Sequence, residues 1–316
     1  MMQIVVGKEI DAGRLARLRD TFPQVTFAPW LDEPDAMRDA DAFLGRIPPD
    51  AVALSGDRLR WVQSGGAGIE TIIANPEIVA GDIVVTNTRG AHAPFVAEHA
   101  FAMLLALRRG LPTFMQDKAN HRYRRKGEGV PMDSLYGKRM LVIGMGAIGS
   151  AIAKRAAAFE MTVVGLDKAT PGHLGEEVTV LPMEHLDNEL ETADIIVVAV
   201  PYTPETHDLI NARRIGLLKE GAVVIGISRG NIIDEDALIA RLHDGTLAGA
   251  GLDVYAQEPL PADSPLWDTP NLIMTPHCAP VAPVTDDREM DIIVENVRRF
   301  VAGEPLLNTC DKVAGY

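Results

Sequence analysis

The chain has 316 residues, 47% of them hydrophobic and few aromatic, which leaves room for two ordinary globular domains and a substantial core. Its net charge of -14 argues against nucleic acid and against an anionic membrane as partners, so the basic patches at Arg108-Arg109 and 121–126 read as solvated faces or subunit contacts. Two cysteines, Cys278 and Cys310, offer neither a disulfide framework nor zinc-ligand spacing, so no metal and a reducing cytoplasm are expected. No apolar run suits a membrane span, and the start of the chain does not read as a signal peptide.

In chain order, residues 1–94 alternate short strands at 4–6, 25–27, 42–44, 61–63 and 83–85 with helical stretches such as 11–21, whose Leu15 and Leu18 share one face. That alternation predicts an α/β unit with a mostly parallel sheet. After the fourth strand come Ser64, Gly65, Gly66, Ala67 and Gly68. Such a loop is either a plain tight turn or a row of backbone N–H groups presented to an anion. A long helix follows at 95–111, opened by Pro94, and residues 116–137 are polar and basic and read as a loop.

An apolar strand at 140–143 then runs into Gly144, Gly146 and Gly149, and an alanine-rich helix at 150–159 runs out. The spacing is Gly-x-Gly-x-x-Gly at a strand-to-helix turn. It lets the chain bend tightly, lets the backbone approach a pyrophosphate and packs helix on strand. Ala147 and Ile148, between the glycines, share that predicted contact. The helix start adds unpaired N–H groups and a positive dipole end. The next strand, 161–166, ends in Asp167, about 20 residues on, where a carboxylate binds the adenosine ribose and repels a 2′-phosphate. Lys168 softens that preference. The expected cofactor is NAD, with NADP as the alternative.

Beyond a connection at 171–182, helices are expected at 183–191, 234–243 and 285–301, with another opened by the capping residues Thr203 and Thr206. Strands are expected at 195–200, 222–225, 249–254 and 271–274. Arg229, Glu258 and His277 follow the last three of these strands. Carboxyl ends of neighbouring strands are where open α/β sheets place ligands. Taken singly, each has an ordinary reading: a surface ion pair for the arginine, a hydrogen-bonded structural histidine, a strand-ending glutamate. Together, downstream of a dinucleotide turn, they supply what hydride transfer to a carbonyl requires. Histidine, with an ordinary pKa of about 6.5, suits the proton. A neighbouring carboxylate stabilises its imidazolium. A permanently charged guanidinium binds a substrate carboxylate and polarises the adjacent carbonyl.

With these motifs the chain resembles the D-isomer-specific 2-hydroxyacid dehydrogenases over nearly its whole length. The likeness rests on Val96-Ala-Glu-His99, on the glycine turn with Asp167 and on Ser228-Arg-Gly-Asn-Ile-Ile-Asp-Glu-Asp-Ala-Leu238. It also rests on Leu252-Asp-Val254 with Glu258-Pro259 and on Thr275-Pro-His277. The resemblance implies two Rossmann-like domains with the active site in the cleft between them: 1–94 plus 284–316 for substrate, and 95–283 for NAD with a dimerisation arm near 111–137. It implies that Arg229, Glu258 and His277 are catalytic, and that Ser64, Gly65, Gly66 and Ala67, with Arg229, bind the substrate carboxylate. It further implies cofactor contacts from Pro201, Thr206, Ile227, Ser228 and Asp253, the last to the nicotinamide carboxamide. The partners it implies are a small 2-oxo or 2-hydroxy acid and a second copy of the chain. Glyoxylate or hydroxypyruvate reduction and phosphoglycerate oxidation are the candidate activities, although no appended regulatory domain is expected after residue 316. The competing expectations are a non-catalytic NAD(H)-sensing scaffold of the same fold and a relative acting on an inorganic or one-carbon acid. Arg89, Gly226 and Pro280 depart from common members, and with His92 they bear on substrate identity rather than on reaction type.

Overall fold

A computed structural model describes residues 2–168 and 177–315. The chain divides into two compact units, Met1–His92 with Ala282–Tyr316, and Ala93–Val281.

The first unit is built on strands β1 (Met2–Val6), β2 (Val25–Pro29), β3 (Ala42–Leu44), β4 (Trp61–Gln63) and β5 (Val84–Thr86), with helices α1 (Ala12–Thr21), α2 (Pro49–Leu54), α3 (Glu70–Ile73) and α4 (Pro76–Ala80) between them. The strands form one parallel sheet in the order β2-β1-β3-β4-β5. Asp11 caps α1 by accepting from the Arg14 N–H, and the helix buries Leu15 and Leu18. The chain returns to this unit with its last helix, which brings Met290, Ile293 and Val297 into the core formed by Ile4, Val6 and Trp61.

In the second unit, α5 (Ala93–Arg108) and α6 (Leu111–Ala119) precede β6 (Arg139–Ile143), α7 (Ala147–Ala158) and β7 (Thr162–Asp167). Then come β8 (Val178–Pro182), α8 (Leu186–Leu190), β9 (Ile195–Val198), α9 (Ala212–Leu217), β10 (Val223–Gly226), α10 (Glu235–His243), β11 (Gly249–Leu252) and β12 (Leu272–Met274). The remaining helix, α11 (Thr285–Ala302), is the one that rejoins the first unit. The seven strands are parallel, in the order β12-β11-β10-β9-β6-β7-β8. Two parallel-sheet α/β units are thus the expected fold class. The β9 and β10 strands are buried throughout, as apolar runs covered on both faces should be. On one face α5 lies close: a β-carbon at Gly251 would sit 2.9 Å from Met103 Cβ, and one at Gly249 2.9 Å from Leu107. Glycine at these positions is what admits the helix.

The structure corrects several expectations. No helix starts at Thr203. The Thr206 hydroxyl accepts from the Thr203 N–H at 2.7 Å and donates to Pro201 O at 2.7 Å, which closes a turn, and the next helix is capped by Asn211. Part of the presumed loop at 116–137 is the end of α6. Of the presumed connection at 171–182, residues 178–182 are the edge strand β8, and 171–176 lie outside the described residues. The dinucleotide helix begins at Ala147, inside the glycine motif, rather than at Ser150.

Candidate active site

In the seven-stranded sheet the order reverses between β6 and β9: β7 and β8 lie to one side, β10 to β12 to the other. Such a switch point opens a crevice at the carboxyl ends of the two strands. The glycine turn leaves β6 there, and each glycine does something different. Gly144 has φ +94°, and a β-carbon on it would press within 2.9 Å of the Ala199 backbone after β9. A β-carbon on Gly149 would lie 1.8 Å from the Gly144 carbonyl oxygen, so helix and turn pack without space. Around Gly146, the N-cap of α7, a β-carbon would meet nothing within 4 Å. Open space in front of a helix N-terminus suits a pyrophosphate. Asp167, at the end of β7, reaches back so that Oδ2 accepts from the Met145 N–H at 2.6 Å, which ties the ribose-side carboxylate to the turn. Ile227 and Ser228 follow β10 and are buried, and among the described residues Ser228 Oγ has no hydrogen-bond partner. A buried orphan hydroxyl beside an open crevice fits a bound dinucleotide. The hydroxyl of Thr206, by contrast, is spent within its own turn.

Register places the catalytic candidates along one edge. Gly226, Leu252 and Met274 are aligned at the ends of β10, β11 and β12. Three residues beyond Gly226 stands Arg229, and three beyond Met274 stands His277. His277 Nδ1 lies 2.7 Å from Glu258 Oε2, while Glu258 Oε1 accepts from the Tyr255 N–H at 3.0 Å. Both side chains are partly exposed, so the pair can meet a ligand. The His277 backbone sits in the left-handed region at φ +53°, with its N–H donating to Asp253 O at 2.8 Å. Arg229 donates to Ser228 O and shares a small cavity with Glu235, Ile233 and Leu252.

Asp253, for which the resemblance implies a nicotinamide contact, follows β11 and leads into the turn before Glu258. Its carboxylate is 1% exposed and works inside the turn that carries His277. Oδ1 accepts from the Thr275 hydroxyl at 2.6 Å and from Cys278 N at 2.9 Å, and Oδ2 accepts from Ala279 N at 2.9 Å. His99, on α5, adds a 2.8 Å contact to the Thr275 hydroxyl. Ligand atoms of His99, Asp253 and Cys278 come within 4.8 Å of one another. They do not make a metal centre of the usual kind, because the aspartate is committed to backbone donors and burial with the nearby Asp253 pushes the Cys278 thiol up, away from thiolate. Burial likewise pushes up the Glu235 carboxyl, and the Tyr255 phenol up to about 12.

In the first unit, the 64–68 loop leaves β4. Asn87 Nδ2 donates to Ala67 O at 2.7 Å and Thr88 N to Gly66 O at 3.1 Å, so the segment after β5 holds two of its carbonyls, one by a side chain and one by backbone. Ser64 Oγ donates to Gly68 O, and space around Gly66 is open. Of the departures from common members, Gly226 has a steric reason: a β-carbon would press on Leu252 and Ile233. His92 is paired with Glu289 at 2.8 Å. Glu235, Tyr255 and Thr275 have partners that the sequence alone does not reveal. Glu235 and Thr275 stand inside the quoted motifs, but their partners lie too far along the chain to be inferred.

A glycine turn at the switch point of a parallel sheet, with a histidine–carboxylate pair on strand ends of that sheet, defines a nicotinamide-dependent dehydrogenase. The NAD-binding domain of D-isomer-specific 2-hydroxyacid dehydrogenases matches residues 101–279. A glyoxylate reductase of Korarchaeum cryptofilum is 32% identical over 96% of this chain and 93% of its own length. A D-isomer-specific 2-hydroxyacid dehydrogenase of Xanthobacter autotrophicus, solved with NADPH and MES, superposes with a TM-score of 0.85 at 32% identity, covering 100% of this chain and 99% of that one. An NADPH-dependent glyoxylate/hydroxypyruvate reductase of Sinorhizobium meliloti, solved with NADP and sulfate, gives a TM-score of 0.85 at 27% identity over 100% of both chains. The chain spans about half the length of the D-3-phosphoglycerate dehydrogenases it also matches. The chain belongs to the D-isomer-specific 2-hydroxyacid dehydrogenases. Its cofactor is NAD, with NADP as the alternative that solved relatives hold.

Proposed function

We propose that the chain reduces a short 2-oxo acid to the D-2-hydroxy acid, with glyoxylate and hydroxypyruvate as the first substrates to test. The observation that carries this reading is the 2.7 Å contact between His277 Nδ1 and Glu258 at the strand ends of the dinucleotide unit. A bound nicotinamide supplies the hydride. Arg229 binds the substrate carboxylate and polarises the adjacent carbonyl. In the 64–67 loop the Ser64 N–H donates to Thr86 O and the Gly66 N–H to Ser64 Oγ, so Gly65 and Ala67 are the residues whose N–H groups it offers to an anion. With Nδ1–H donating to Glu258, His277 carries its transferable proton on Nε2 and gives it to the oxygen that becomes the hydroxyl. Glu258 holds the ring and stabilises the imidazolium. In the oxidising direction the neutral ring takes the proton back. Asp167 favours NAD by repelling a 2′-phosphate.

The 111–137 segment carries exposed Met115, Tyr123 and Tyr136, at 73, 90 and 69%, and we assign the homodimer contact to it. Among the described residues no helix is long and apolar enough to cross a membrane. The cytoplasm as location rests on the two free cysteines.

The deciding experiment follows NADH and NADPH oxidation against glyoxylate, hydroxypyruvate, pyruvate, bulkier oxo acids and phosphohydroxypyruvate. Turnover with a short oxo acid and NADH is expected. NADH binding with silence across the panel would overturn the reading and favour a sensing scaffold. Preference for NADPH would overturn the role given to Asp167.

A further inference from the structure

The turn that carries Glu258 is gripped from outside. Glu235 is the first residue of α10, directly after the cap Asp234, and belongs to the segment that follows β10. Its Oε1 accepts from the Ala256 N–H at 2.6 Å. Asn231, held at φ +59°, donates from Nδ2 to Ala256 O at 3.2 Å. The Ala256 residue is therefore held at both its N–H and its carbonyl by the segment that carries Arg229. The two segments also touch without slack, since a β-carbon on Gly230 would lie 1.8 Å from Tyr255 O. From Ala256 the grip passes one residue back. The Tyr255 N–H donates to Glu258 Oε1, the Tyr255 hydroxyl donates to Thr275 O at 2.8 Å, and Glu258 Oε2 meets His277. Glu235 bonds neither Glu258 nor His277, yet its bond to the Ala256 N–H fixes the peptide from which that proton-transfer pair is hung.

We propose that Glu235 is a positioning residue, which sets the Glu258–His277 contact by holding the Ala256 peptide, and which does so as a hydrogen-bond acceptor rather than as a charge. The inference rests on the dehydrogenase reading for its catalytic consequence, but not for the loop it describes. An acceptor suffices because the partner is a neutral peptide N–H and the carboxyl is half-buried in a cavity it shares with Arg229. A glutamine offers the same oxygen at the same reach. Alanine offers nothing, and the turn is then free to drift. A misplacement of about 1 Å at such a pair costs on the order of 100-fold in rate.

The test compares Glu235→Gln and Glu235→Ala in the full chain. For Glu235→Ala, kcat should fall by about 10- to 100-fold, with KM and NADH affinity within about threefold of the parent. Glu235→Gln should retain kcat within about threefold. Hydrogen–deuterium exchange of peptides over 253–259 should quicken in the alanine variant and not in the glutamine one. If Glu235→Ala does not fold, Asn231→Gly replaces it, because glycine keeps the positive φ while removing the other half of the grip. Its kcat should fall while NADH affinity holds. Unchanged kcat and unchanged exchange in a folded alanine variant would overturn the proposal, as would a glutamine variant as impaired as the alanine one. A parent chain that binds NADH but reduces no oxo acid would sink the dehydrogenase reading alone, and the exchange comparison would still decide whether Glu235 holds the turn.

Discussion

The three glycines of the dinucleotide turn make unequal predictions, and Gly146 and Gly149 separate ligand from fold. Replace Gly149 by alanine, and the new methyl lies 1.8 Å from the Gly144 carbonyl oxygen, where ordinary contact begins near 3.4 Å. The obstacle is backbone, so turn and helix must part by roughly 1.5 Å, and overpacking of this kind costs about 3 kcal/mol. For a unit of this size that lowers Tm by about 6–12 °C. Replace Gly146 instead, and the methyl meets nothing, with φ at an ordinary -65°. The stiffer unfolded chain adds about 0.4–1 kcal/mol of stability. A poorer N-cap removes about as much. Tm should therefore move by less than about 4 °C. The methyl does occupy the place where a pyrophosphate would approach the α7 N-terminus. Losing one charge-assisted hydrogen bond, at about 1.5–3 kcal/mol, raises the NADH Kd by about 10- to 100-fold. Fluorescence titration with NADH and thermal unfolding of both variants decide the matter. A Gly146→Ala protein that binds NADH like the parent would refute the placement of the phosphates, and a Gly149→Ala protein that melts like the parent would refute the packing argument.

Further outcomes follow from the same geometry. His277→Ala should lower kcat by about 100- to 10,000-fold and leave NADH affinity within about threefold, whereas a sensing scaffold would show no loss in its NADH response. Asp253→Ala leaves the Thr275 hydroxyl and the N–H groups of Cys278 and Ala279 without their acceptor, at about 1–3 kcal/mol each, so Tm should fall by about 6 °C or more; a smaller fall means that the aspartate does not organise the turn. Burial and the nearby Asp253 raise the Cys278 thiol above the ordinary range, so in a Cys310→Ser background alkylation by iodoacetamide should be slower at pH 8 than for free cysteine and still climb beyond pH 9. Rapid alkylation at pH 7 would contradict that.

Fold class and the glycine turn could be read because their signals are local. Apolar runs such as 195–198 and 223–225 announce buried strands, and the glycine spacing sits between one such run and an alanine-rich helix. What escaped was settled by partners far along the chain or by chemistry with two outcomes. Thr203 and Thr206 carry capping groups, but the bond between them closes a turn, and the chain then runs on to the bridge from Ile210 to Ile233. β8 alternates only from Val178 to Val180, whose valines pack on the core, before Leu181 and Pro182 break the pattern, and three residues are too few to mark a strand. The bonds that tie Asp253 to the His277 turn leave no local sign, because its donors, Thr275, Cys278 and Ala279, are reached only through β12. Glu235 reads as an acid favoured at a helix start, and its reach to Ala256 needs the parallel pairing of β10 with β11.

The order in which the chain visits its two units has a consequence for synthesis. The dinucleotide unit is continuous from Ala93 to Val281, so all of it can emerge from a ribosome and fold in one pass. The other unit cannot. Its five strands are made first, but Ile4, Val6 and Trp61 share only Leu15, Leu18 and Phe22 from the α1 side until Met290, Ile293 and Val297 of α11 arrive some 200 residues later, on the order of 10–40 s at ordinary rates of elongation. During that interval, while the dinucleotide unit is being made, the nascent sheet keeps a part-covered apolar face, and chaperone demand should concentrate on the unit that begins first and closes last.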